Sequence, residues 1–183
     1  MAGTDMPLEE LLGYLETLAN QSLSLWDIPA AATARLINVS ENATYLVEAP
    51  GGYKSILRVH RENYHSHRAI ECELVWLEAL DAAGIVTTPG FYLGKNGYPI
   101  QEARVEGLND PRYLVLFQFI EGEAPDESGD MSDDYEELGA IAARCHDHVL
   151  GWQKPNNFER LTWDVNTVFG EAPTWGDWRV APE

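Results

Sequence analysis

Residues 7–20 repeat leucine at helical spacing, with Leu8, Leu11, Leu12, Leu15 and Leu18 on one stripe and acids Glu9 and Glu10 at the positive end. A helix is therefore expected there, with Pro7 in its first turn. After a linker carrying Trp26 and Pro29, the period changes from helical to alternating, and strands are expected at about 35–39, 43–48 and 53–61. Gly51-Gly52 makes the second pair a hairpin, because tight hairpin turns need positive φ. The stripe Ile70, Leu74, Leu77 and Leu80 then predicts a helix over 66–83, closed by Gly84.

Beyond it, short extended segments near 90–94 and 98–103 flank the Gly94-Lys-Asn-Gly97 turn, and Tyr113–Ile120 reads as a strongly apolar strand. The layout is α+β, a five-stranded antiparallel sheet with one helix packed on it. Residues 121–137 are dense in acids, hold no base, and include Pro125 and Gly129, which marks a boundary. Ser132 is the expected N-cap of a helix running to about 149. Three stretches follow: an N-terminal helix and linker over 1–34, a lobe over 35–120, and a linker with an incomplete second unit over 121–183.

Net charge sharpens the picture by exclusion. At −18 the surface repels nucleic acid and anionic membranes, so neither is expected as a partner. The same charge attracts a cationic small molecule or simply keeps the protein soluble. Cys72 and Cys145 lie far apart in expected helices, which suggests no disulfide framework and a reducing, cytoplasmic setting. Acids at Asp5, Glu9 and Glu10 argue against a signal peptide, and no apolar run approaches the roughly 20 residues of a membrane span. Trp152, Trp163, Trp175 and Trp178 crowd a tail without regular periodicity, and self-association through them is one expectation.

Candidate chemistry sits on the third strand and the helix after it. Alternation puts Lys54, Ile56, Arg58 and His60 on one face, with Tyr53, Leu57 and Val59 on the other. Glu73 falls at the margin of the apolar stripe, where a carboxylate needs a partner, and Arg58 is the obvious one. Taken alone, Arg58 also fits an edge arginine in solvent, and Glu73 a carboxylate that reaches water. The polar loop Ser40-Glu41-Asn42-Ala43 lies at the right end of the hairpin to cover phosphates, although it lacks glycines. Phe117-Gln-Phe-Ile120 ends a buried strand and leaves backbone groups that can pair with a purine edge. Cys145-His146-Asp147-His148 invites a metal reading, but consecutive helical residues point apart, so ordinary helix packing is the default.

Together, Asn38–Val47, Ile56–Arg61, Ile70–Leu77, Leu116–Gly122 and Leu138–His146 resemble the aminoglycoside phosphotransferase and choline kinase-like superfamily, relatives of protein kinases. Similarity is greatest to the homoserine-kinase-like and bacterial stress-kinase-like branch, over roughly residues 33–178. The resemblance implies a protein-kinase-like N-terminal lobe and the start of a mostly helical C-terminal lobe. It implies ATP and Mg²⁺ as cofactors, and a small-molecule hydroxyl acceptor, a cationic one among the candidates. Ser40–Ala43 becomes the phosphate-covering loop, Arg58 stands where the family uses lysine, Glu73 is its helix partner, and Val47 and Ile56 sandwich the base. Phe117 becomes the gatekeeper, and Gln118, Phe119 and Ile120 the adenine-binding hinge. Arginine at 58 keeps the charge but grips oxygens through a planar fork. No His-x-Asp catalytic loop occurs before Glu183, so the catalytic loop and the Mg²⁺ ligands are expected outside this chain, and the chain alone is expected to be inactive. The alternatives are a non-catalytic, pseudokinase-like nucleotide-binding module or a kinase acting on protein Ser/Thr.

Overall fold

The computed structural model describes residues 6–123, 128–174 and 176–180. Helix α1 spans Leu8–Ser22 and runs into a short 3-10 turn, Leu23–Leu25. Strands β1 (Thr33–Val39), β2 (Ala43–Ala49) and β3 (Tyr53–Val59) form an antiparallel meander. Helix α2 (His67–Ala82) follows, then β4 (Ile100–Ala103) and β5 (Arg112–Gln118). The sheet order is β1-β2-β3-β5-β4, antiparallel throughout. Helices α3 (Ser132–Gly151) and α4 (Val165–Phe169) complete the described chain.

Six extended segments compete for five places, and 90–94 is the one that fails to become a strand. It meets the sheet only through isolated bridges, Phe91 to Phe117 and Gly94 to Trp26. A Gly90 backbone too close to the Gln118 side chain to admit a Cβ keeps this segment pressed on β5.

Two clusters divide the core by sheet face. Leu57, Val59, Leu114 and Leu116 face α1 and its Leu15 and Leu18. Ile70 and Leu74 of α2 cover Val115 and Phe117 on the other side. Residues 1–34, expected as a helix and linker apart from the lobe, thus contribute Leu18, Ala19, Leu23 and Trp26 to the lobe's own core. Helix α3 buries none of its residues, and Tyr135, Leu138 and Leu150 are exposed. Its start differs from expectation by one position. Asp130 Oδ1 accepts bonds from the Ser132 backbone amide (3.0 Å) and hydroxyl (2.6 Å), so Ser132 lies inside the first turn rather than before it.

The end of α2 meets its expectation in full. Ser66 caps the start by accepting the Ala69 amide at 3.0 Å. At the end, Ile85 N–H bonds to Leu80 O (3.0 Å) and Gly84 N–H to Asp81 O (2.9 Å), with Gly84 at φ +66°. Space around a Cβ at Gly84 is open, so only backbone strain opposes substitution. Gly84→Ala is expected to cost about 1–2 kcal/mol in urea unfolding. A change below a few tenths would mean the left-handed cap is not held in solution.

Candidate functional site

β3 and α2 are adjacent in sequence, and their packing brings one cation to one carboxylate. Arg58 Nη1 donates to Glu73 Oε1 at 2.6 Å, with the two side chains 30% and 17% exposed. Ser66 starts α2 at a fixed point after β3, and the Ile70–Leu74 stripe sets its rotation, so Glu73 is turned to the sheet margin. The Arg58 guanidinium also lies over the Phe117 ring, 4.9 Å from its centroid. Burial alone would raise the Glu73 pKa, but the charge and hydrogen bond of Arg58, and then Arg160, hold it below the ordinary value.

Arg160 has no counterpart in the expectations drawn from sequence. Its Nη1 reaches Glu73 Oε2 at 3.2 Å, so the carboxylate is shared by two guanidiniums, one per oxygen. A separation of 87 residues hides such a contact from local patterning.

The register corrects one assignment. Leu46 pairs with Ile56 and Val47 with Ser55, and directly paired residues share a sheet face. Val47 is therefore on the α1 side, fully buried in that cluster, and cannot sandwich a base together with Ile56. Leu46 is the β2 residue beside Ile56 and Arg58. Ala43 is likewise spent on the α1-side core.

Of the loop, Ser40 N–H bonds to Asn42 O (3.1 Å), Asn42 Oδ1 accepts the Arg61 amide (3.2 Å), and Glu41 pairs with Arg61 Nη1 at 2.8 Å. Arg61, at the end of β3, thus pins the loop. Phe117 is buried opposite Ile56 in the ladder. Gln118 donates its amide to Gly90 O at 2.7 Å, so that amide is taken. Phe119 and Ile120 lie beyond the end of β5, with Lys54 Nζ 4.8 Å from the Phe119 centroid and paired with Glu121 at 3.1 Å. Pro125 falls outside the described residues, as does Trp175. Among the described residues, no group of three or more His, Cys, Asp or Glu is placed to hold a metal, and no helix is long and apolar enough to cross a membrane.

His60 closes the site from below. It is 3% exposed, and neither ring nitrogen has a hydrogen-bond partner among the described residues. Burial, reinforced by the Arg58 charge, pushes its pKa down to about 4. Between that value and the ordinary one near 6.5, the unfolded chain binds the extra proton, so stability must fall with falling pH in this window. Unfolding free energy is expected to drop by about 2 kcal/mol from pH 7 to pH 5, and His60→Leu should remove most of that slope. An unchanged slope in the variant would assign the effect elsewhere. Glu73, depressed below 4.5, loses its contribution only at lower pH, so the two windows separate.

Comparison with known proteins places the arrangement. The family model described as "Phosphotransferase enzyme family" matches residues 33–169. The solved structure of a microcompartment-associated aminopropanol kinase is 41% identical, with a TM-score of 0.77, over 88% of this chain and 49% of that one. The structure of amicoumacin kinase hAmiN in complex with AMP-PNP, Ca²⁺ and Ami shares 19% identity and the fold, with a TM-score of 0.60, over 86% of this chain and 45% of that one. No curated protein matches the chain. The chain spans about half the length of the solved structures it resembles.

Proposed function

Because this chain belongs to the phosphotransferase enzyme family, we propose that it is the nucleotide-binding part of an ATP-dependent kinase that phosphorylates a hydroxyl of a small molecule. The observation that carries this is the Arg58–Glu73 pair at 2.6 Å, set beside an apolar sheet face. On that face Leu46 and Ile56 offer a surface for the base, and Phe117 backs it. Arg58 would hold the α- and β-phosphates, Glu73 orients Arg58, and the Ser40–Asn42 loop covers the phosphates. Phe119 and Ile120 supply the backbone edge for adenine. The divalent ion supplies charge neutralisation of the phosphates when bound, with its protein ligands and the catalytic base outside this chain. The chain by itself then binds nucleotide weakly and completes no transfer.

An acceptor that is a short amino alcohol suits the family relation best. The aminopropanol kinase is the 41% identical structure, and a chain of net charge −18 favours a cationic acceptor over an anionic one. Calorimetric titration with ATP–Mg²⁺ tests the nucleotide reading, and saturable binding that excess ADP displaces is expected. Absence of binding up to millimolar nucleotide would overturn it.

A further inference from the structure

The segment 156–160 returns from the far end of the chain and lies along α2. Four contacts tie it there without involving Arg160: Arg68 donates to the carbonyls of Asn156 (2.7 Å) and Asn157 (3.2 Å), the Ser66 hydroxyl meets Glu159, and the Glu159 amide meets Cys72 Sγ at 3.3 Å. Asn157 takes φ +60° to make the bend that brings Arg160 over the helix. Arg160 is therefore delivered to its place by its neighbours, and its guanidinium is left to serve Glu73 (3.2 Å) and the Ala69 carbonyl (3.4 Å).

From this geometry we infer that Arg160 is a positioning residue for the nucleotide site, one that neutralises Glu73 from behind so that Arg58 meets the phosphates with its positive charge uncancelled. The inference rests on the nucleotide reading given above. Arg58 and Glu73 alone cancel. Adding Arg160 leaves two guanidiniums on one carboxylate, a surplus of one positive charge in a half-buried site. That surplus matters in a chain whose overall charge of −18 repels a polyphosphate. Glu73 also gains a fixed orientation, because each oxygen is held from a different element: Oε1 by β3 and Oε2 by the returning segment. The charged and titratable groups that act on Glu73 are then Arg58, Arg160 and His60.

Two readouts separate this role from a merely structural one. In ATP–Mg²⁺ titrations Arg160→Met is expected to weaken affinity about fivefold to tenfold, and Arg160→Lys to restore it to within about twofold. In ¹³C-carboxyl NMR the Glu73 titration midpoint should rise in Arg160→Met and return in Arg160→Lys, whether or not nucleotide is present. An unmoved Glu73 midpoint overturns the inference. So does unchanged nucleotide affinity in Arg160→Met where Arg58→Ala weakens binding, and in that case the nucleotide reading survives. If Arg58→Ala and Arg160→Met both bind nucleotide as tightly as the parent chain, the nucleotide reading fails and the inference falls with it.

Discussion

Arg58→Ala should lower ATP–Mg²⁺ affinity by about 10- to 100-fold, a larger loss than any other single change in the site. Two effects add. The phosphates lose their fixed cation, and Glu73 is left 17% exposed with only Arg160 to compensate it. Removing one partner of a largely buried pair strands the other, so unfolding free energy should also fall, by about 1–3 kcal/mol after allowing for the partial exposure of Arg58 and for Arg160. Arg58→Lys separates charge from shape. A lysine keeps the cation but cannot spread a planar group over Phe117 at 4.9 Å while forking to Glu73 at 2.6 Å. Intermediate affinity is expected for it. Calorimetry on the parent and both variants reads the outcome, and equal affinity across the three would remove Arg58 from the nucleotide site.

The parts of this site legible in sequence are those fixed by local periodicity. Arg58 faces α2 because strands alternate, and Glu73 faces β3 because it sits beside Ile70 and Leu77 on the helix. A short β3–α2 connection then makes their meeting almost unavoidable. Val47 shows where this logic is fragile. The period of a strand is two, so an error of one residue moves a side chain through the sheet. Both faces of β2 are apolar, with Tyr45 and Val47 on one and Leu46 on the other, so polarity does not say which face α1 covers. Only the paired register with β3 decides. Arg160 and Arg61 were illegible for a different reason: their partners lie far away in sequence, and nothing in the composition of Phe158–Thr162 or of the strand end announces them. The segment 90–94 fails as a strand because its contacts with β5 and with Trp26 are single bridges, which pattern alone does not distinguish from a ladder.

Trp26 tests whether the first part of the chain belongs to the lobe, and Trp26→Ala is expected to destabilise it by about 3–5 kcal/mol. The indole is 1% exposed and lies in the α1-side cluster. Its backbone bridges Gly94, while Lys95 donates its amide to Leu25 O at 2.8 Å and its Nζ to Ser24 O at 3.0 Å. Those bonds fix the end of the 3-10 turn against the 94–97 turn, so neighbours cannot collapse freely into the space that truncation leaves. A cavity of that kind costs more than the transfer of the lost side chain alone. The expected signature in urea is a lower midpoint with an unchanged slope, since the same surface is exposed on unfolding. A loss below about 1 kcal/mol, or a second transition at low denaturant, would mean that α1 and its turn fold as an appendage. In that case the sheet would have to hold Leu57, Val59, Leu114 and Leu116 with one face uncovered, which an apolar face of that size does not tolerate in water.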